Sequence, residues 1–342
     1  MNKTKLILMM ILLLTLVACD KQIEKPIVLN VSESVNYIYH MLSVSEVGYS
    51  NAYGETYKSL HNLDDLEYLK SVASLITVEG GKHIGELYGN MIVFPATLSS
   101  LDEVTLYYNC YIRILNGDVF TFEEQQFIES FVRENSLKNG ITTTVEDTTQ
   151  HIKNLPYKEE LLKVSDIFIR NINIYREHVY DIEKDKMDHY IEDFNTSHSF
   201  KGVINELEDI MGLEYLEDSF VIELTTSTSS GPNAIDISNT QDLFYIIQPS
   251  VLKEFATHEM AIYILKQNKL FDLKDEFPDK SFNELWIYFE SLAEYYNEEL
   301  YGRKTLSYSN GSSEIIKFYK EHHTLNTKQL LLEAIRHFEV LQ

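Results

Sequence analysis

The chain has 342 residues, with 29 Lys and Arg against 53 Asp and Glu, for a formal net charge of −24. That acidity excludes the basic footprint that a nucleic-acid backbone demands, and docking on anionic lipid through a basic patch. A hydrophobic content of 44% with 12% aromatic residues excludes a disordered chain, and the length fits one large domain or two ordinary ones.

Residues 1–18 read as an export signal. Lys3 and Lys5 form a short positive start, and Leu6 to Leu16 is an apolar run broken only by Thr15. The run is too short to span a bilayer comfortably, which fits a secretion signal better than a membrane helix. The residues that follow, Leu16-Val17-Ala18-Cys19, resemble the lipobox of bacterial lipoproteins. That resemblance implies cleavage before Cys19 and lipidation of Cys19, such as by palmitate, so that acyl chains hold the protein to the lipid bilayer of the cell envelope. An ordinary secretory signal or a buried apolar segment is the alternative reading. Asp20 resembles an inner-membrane retention signal in some double-membrane bacteria, and the leaflet stays open.

Loss of residues 1–18 removes two lysines and no acids, which leaves 27 basic and 53 acidic side chains and a charge of −26. With Cys19 lipidated, Cys110 is the one remaining thiol, so no intramolecular disulfide forms and the core must supply stability. Cys110 lies in Leu106-Tyr107-Tyr108-Asn109-Cys110-Tyr111-Ile112 and reads as buried packing.

Residues 19–30 read as a tether, 31–150 as a helical N-terminal region, and 151–342 as a second region ending in helices. Apolar spacing predicts helices over Val35–Val47, from Asp64 to Ile76, and over Leu101–Leu115. Thr121 and Glu124 form a capping-box pattern ahead of Phe127, Ile128, Phe131 and Val132. Ile141–Asp147 is ambiguous, and no Gly-, Ser- or Pro-rich linker marks a boundary there. Further helices are expected from Pro156 to about Tyr180, over Asp185–Phe194, and over Lys201–Met211 with Gly212 as the C-terminal cap. Phe220–Thr226 and Asp242–Ile247 have strand character around a turn-rich loop, Ser227–Asn233. Helices then follow over Val251–Lys266, Phe282–Leu300, Ser313–His322 and Thr327–Leu341. The expected fold is mainly α with a small β-sheet (α+β).

One motif carries candidate chemistry: His258-Glu259-Met260-Ala261-Ile262. It resembles the HExxH signature of zinc metallopeptidases, in which two His four apart on a helix bind zinc and the Glu activates the metal-bound water. In the branch of that group with a Glu as third ligand, the third ligand lies on a following helix. The resemblance implies a zincin-like C-terminal half, with His258 as the first zinc ligand, Glu259 as the catalytic base, and Glu290 or Glu294 as the third ligand. The second His position is Ile262, which has no lone pair to offer a metal. The layout is also similar to a group of exported bacterial proteins that pair a helical N-terminal half with such a C-terminal half.

Five further histidines read as surface. His322 and His323 are adjacent and point apart on a helix. His178, His189 and His198 are scattered among acids and suit a solvated face. Two functions of different class follow. The first is a membrane-anchored, non-catalytic metallopeptidase-like protein, a pseudoenzyme with no cofactor, binding a peptide or glycan at the cell envelope. The alternative is an active zinc peptidase with an atypical ligand set.

Overall fold

A computed structural model describes residues 24–48, 53, 56–79, 83–139, 143–228, 235–238, 241–246, 248–273, 276–305 and 311–339. The export signal, Cys19, Ile247, Leu341 and most of the Ser227–Asn233 loop lie outside these residues.

The chain enters through strand β1 (Ile27–Asn30) and turns at once into helix α1 (Glu33–Val44). Ser32 caps α1 by accepting from the Val35 amide, which satisfies one of the orphan N–H groups of the first turn. Next come α2 (Leu63–Ser71), α3 (Ala73–Ile76) and a small pair of antiparallel strands, β2 (Val78–Glu79) and β3 (His83–Ile84). Helix α4 (Leu101–Asn116) is capped by Ser100 and stops at Gly117, whose φ of 76° is a left-handed conformation that glycine adopts without a Cβ penalty. Helices α5 (Phe122–Asn139), α6 (Val145–Asn154) and α7 (Lys158–Tyr175) follow, and a π turn over Arg176–Tyr180 carries α7 into α8 (Asp181–Ser197). The capping box ahead of α5 forms as expected: the Glu124 amide donates to Thr121 Oγ1 and the Thr121 amide to Glu124 Oε2. A second box, Thr144 with Asp147, turns the ambiguous Ile141–Asp147 stretch into the start of α6.

The second region runs through α9 (Val203–Met211), with Gly212 at its C-cap, then β4 (Phe220–Thr225), β5 (Ile235–Ser238) and β6 (Gln241–Tyr245). Helices α10 (Pro249–Gln267), α11 (Phe282–Tyr301), α12 (Ser313–Glu321) and α13 (Thr327–Glu339) complete it. The sheet order is β1-β4-β6-β5, with β1, β4 and β6 parallel and β5 antiparallel to β6.

Among the described residues two large hydrophobic cores form, beside a small cluster of Cys110, Ile128 and Val132. One unites Phe220, Ile222 and Leu224 of β4 with α8–α13, including Leu252, Met260, Phe289 and Leu292. The other unites α1, α4 and α7 through Tyr37, Leu42, Tyr108 and Phe168. Cys110 is buried as expected, and burial pushes its thiol up to about 12, so it stays protonated packing.

Two expectations change here. The last residues of the expected tether, Ile27–Asn30, form β1, because they pair in parallel with Phe220–Glu223, a partner nearly two hundred residues away that local pattern does not reveal. The zincin-like C-terminal half is overturned. The fold is mainly α with a small sheet, but no group of three or more His, Cys, Asp or Glu able to hold a metal ion occurs among the described residues.

Helix α11 begins with a complete capping box: Ser281 accepts from the Glu284 amide while Glu284 reaches back to the Ser281 amide at 2.8 Å. Ser281→Ala is expected to lower stability by about 1 kcal/mol in urea unfolding, since the cap fixes the helix that carries Glu290 and Glu294.

Candidate functional site

Helices α10 and α11 pack together and bring the motif residues into contact. Their apolar positions place Ile262 in the core, where it is 7% exposed. His258 is 6% exposed and faces α11. Glu290 and Glu294 are four apart, so both carboxylates leave α11 on one face. They hold the imidazole from its two sides. His258 Nε2 lies 3.2 Å from Glu290 Oε2, and Nδ1 lies 3.3 Å from Glu294 Oε2.

This arrangement fixes the chemistry of the ring. Burial works against a charged imidazole, but the hydrogen bond to Glu290 and the nearby carboxylates of Glu294 and Glu259 outweigh it. The result is a His258 pKa raised to about 10. That shift favours the imidazolium form at neutral pH, and an imidazolium has no lone pair for a metal or for an incoming proton.

The metallopeptidase reading of His258, Glu290 and Glu294 is corrected accordingly. The three residues do meet, and they form an ion clamp. Glu259 sits beside the clamp, half-buried, and contributes its charge to His258. No group of three or more His, Cys, Asp or Glu able to hold a metal ion occurs among the described residues, which argues against the zinc site beside which Glu259 was expected to act.

The carboxylates are in turn held by neighbours. Glu294 Oε1 accepts from Thr305 Oγ1 at 2.5 Å. Asn297 donates to the Glu254 carbonyl at 3.1 Å, and Arg303 pairs with the Glu254 carboxylate. Lys320 of α12 pairs with Glu298 at 2.5 Å. The network ties α10, α11 and α12 into one unit, the work expected of buried charges that are paired and hydrogen-bonded. The surface histidines are as expected: His178 and His189 have side chains 55% and 70% exposed.

A second polar cluster escaped the sequence reading. Helix α1 is buried along nearly its whole length, yet Asn36, His40 and Ser43 lie at i, i+4 and i+7 on it. This stripe faces the carboxyl end of β4. Asn36 Nδ2 donates to the Leu224 carbonyl at 3.0 Å and Ser43 Oγ to the Ser227 carbonyl at 2.5 Å. His40 meets His61, Nε2 to Nε2, at 2.9 Å, and His61 Nδ1 meets Asn171 Oδ1 at 2.8 Å. Asn171 Nδ2 donates to the Ile167 carbonyl and toward Asp65, which Arg170 grips with two nitrogens. Polar residues at helical spacing within an apolar helix are the signal that would have found this seam.

Comparison with known family models, with curated proteins and with solved structures yields no match.

Proposed function

We propose that the chain is a lipid-anchored protein of the bacterial cell envelope whose acidic, non-catalytic body binds a peptide close to the membrane. The observation that carries this reading is Leu16-Val17-Ala18-Cys19 at the end of a short apolar run that starts from two lysines. Among the described residues no helix is long and apolar enough to cross a membrane, so attachment rests on Cys19 and its acyl chains.

The start of the body supports a short reach. Lys25 is fixed, donating to Glu208 Oε1 at 2.7 Å and to the Tyr215 carbonyl. Only Asp20–Glu24 lie between Cys19 and this point. Six Cα steps span at most about 22 Å, so a lipidated Cys19 keeps the body against the headgroup region. Of the two ligand classes read from the sequence, a peptide with cationic groups suits a mature charge of −26 better than a neutral glycan does.

Metabolic labelling with palmitate tests the anchor. The wild-type chain is expected to carry label and to sediment with membranes, whereas Cys19→Ala is expected to lose the label. An unlabelled wild-type chain, or full labelling of Cys19→Ala, would contradict the reading.

A further inference from the structure

The seam between α1 and the carboxyl end of β4 holds unsatisfied polar atoms in one place. The amide orientation of Asn171 sets the proton positions along it. Because Asn171 Nδ2 donates to Ile167 and Asp65, its Oδ1 is the acceptor that faces His61. His61 Nδ1 therefore carries the proton and His61 Nε2 accepts. His40 Nε2 is then the donor of the His40–His61 hydrogen bond, and His40 Nδ1 is left as a bare lone pair. Burial holds both imidazoles below their usual range, which agrees with two neutral rings.

Three polar atoms here are buried without a hydrogen-bond partner among the described residues: His40 Nδ1, the Tyr175 hydroxyl and Glu183 Oε2. Their residues are essentially inaccessible, at 0%, 0% and 1% exposure. Buried polar groups are as a rule hydrogen-bonded, so three unmet ones together call for an occupant. Aromatic rings join them. The His40 ring centroid is 4.9 Å from Tyr175, 5.4 Å from Tyr53 and 5.9 Å from Tyr57. Tyr57 at 2.5 Å and Lys186 at 2.7 Å both donate to the other oxygen of Glu183, and the Tyr57 bond brings that carboxylate to the same cluster. Parallel strands commonly present ligands at their carboxyl ends, and β4 ends here.

The atoms on offer define the ligand. A histidine lone pair and a carboxylate oxygen accept only, and the faces of Tyr53, Tyr57 and Tyr175 are electron-rich. A group that donates several N–H bonds and carries positive charge satisfies all of them. We infer that His40, Tyr175 and Glu183, with the rings of Tyr53 and Tyr57, form a binding site for a primary ammonium group. The inference rests on the binding role proposed above and names the part of a cationic ligand that the body grips.

The test uses the detergent-purified full chain and two probes, methylammonium and 1,4-diaminobutane, with methanol and 1,4-butanediol as neutral counterparts. Calorimetry and thermal unfolding are expected to show saturable binding of the amines and none of the alcohols. Tyr175→Phe removes only a hydroxyl without a partner, so it is expected to fold and to weaken amine binding at least tenfold, as is Glu183→Gln. Absence of saturable amine binding by the folded chain would overturn the site, as would unchanged binding by Tyr175→Phe. In either case ordered water completes the cluster. Cys19→Ala is expected to bind the amines as the wild type does, so failure of the anchor and failure of the site read out separately.

Discussion

His258→Ala is expected to lower the unfolding free energy by about 3–5 kcal/mol, because it removes the cation from between two buried carboxylates and leaves both uncompensated. Glu290 and Glu294 are 9% and 3% exposed, so water does little to relieve them. Ile262 packs one turn away on the same helix, and opening this region exposes the core around Met260 and Phe289. Equilibrium urea unfolding measures the effect. The combination His258→Leu, Glu290→Gln and Glu294→Gln is expected to cost much less than His258→Ala alone, since it removes the charges with their partner. If His258→Ala proved neutral, the clamp would hold nothing together.

Alkaline pH is expected to weaken the same unit. The folded-state pKa of His258, about 10, lies above the unfolded value near 6.5. A raised value means that the folded chain binds the proton more tightly than the unfolded chain does. The contribution is then fully present below pH 6.5 and is lost as pH rises through about 10. The whole change is on the order of a few kcal/mol, from 1.36 kcal/mol for each pKa unit. Other groups also titrate in this range, so the informative quantity is the difference between the wild type and His258→Gln. That difference is expected to shrink steadily from pH 6.5 to pH 10. A difference that is flat across this window would place the ring in its neutral form.

The sequence makes the helices legible because each carries its own local signals. Thr121 with Glu124 and Gly212 act within a few residues of where they stand, and the structure uses both. The sheet is less legible. β4 is read from its β-branched run, but its neighbour β1 is four residues long and owes its strand state to a partner far along the chain.

The motif illustrates a different limit. Spacing puts Glu290 and Glu294 on one face of their helix, and the structure sets that face against His258. What spacing does not reveal is the protonation state. The same three side chains serve a metal when the imidazole is neutral and form an ion clamp when it is charged, and the two carboxylates, acting against burial, favour the second. The α1 seam is legible only in part: Asn36, His40 and Ser43 mark it at helical spacing, but no local pattern joins His40 to His61, Tyr175 or Glu183.

His258 is held as a cation between two carboxylates up to about pH 10, where it loses the proton. Nitrogen NMR of the histidine rings in the folded chain, recorded from pH 6 to pH 9 with and without added zinc, tests it most directly. The account expects both His258 nitrogens to be protonated across that range and their resonances to be unmoved by zinc. A neutral ring at pH 8, or a zinc-dependent shift that vanishes in His258→Gln, would contradict it.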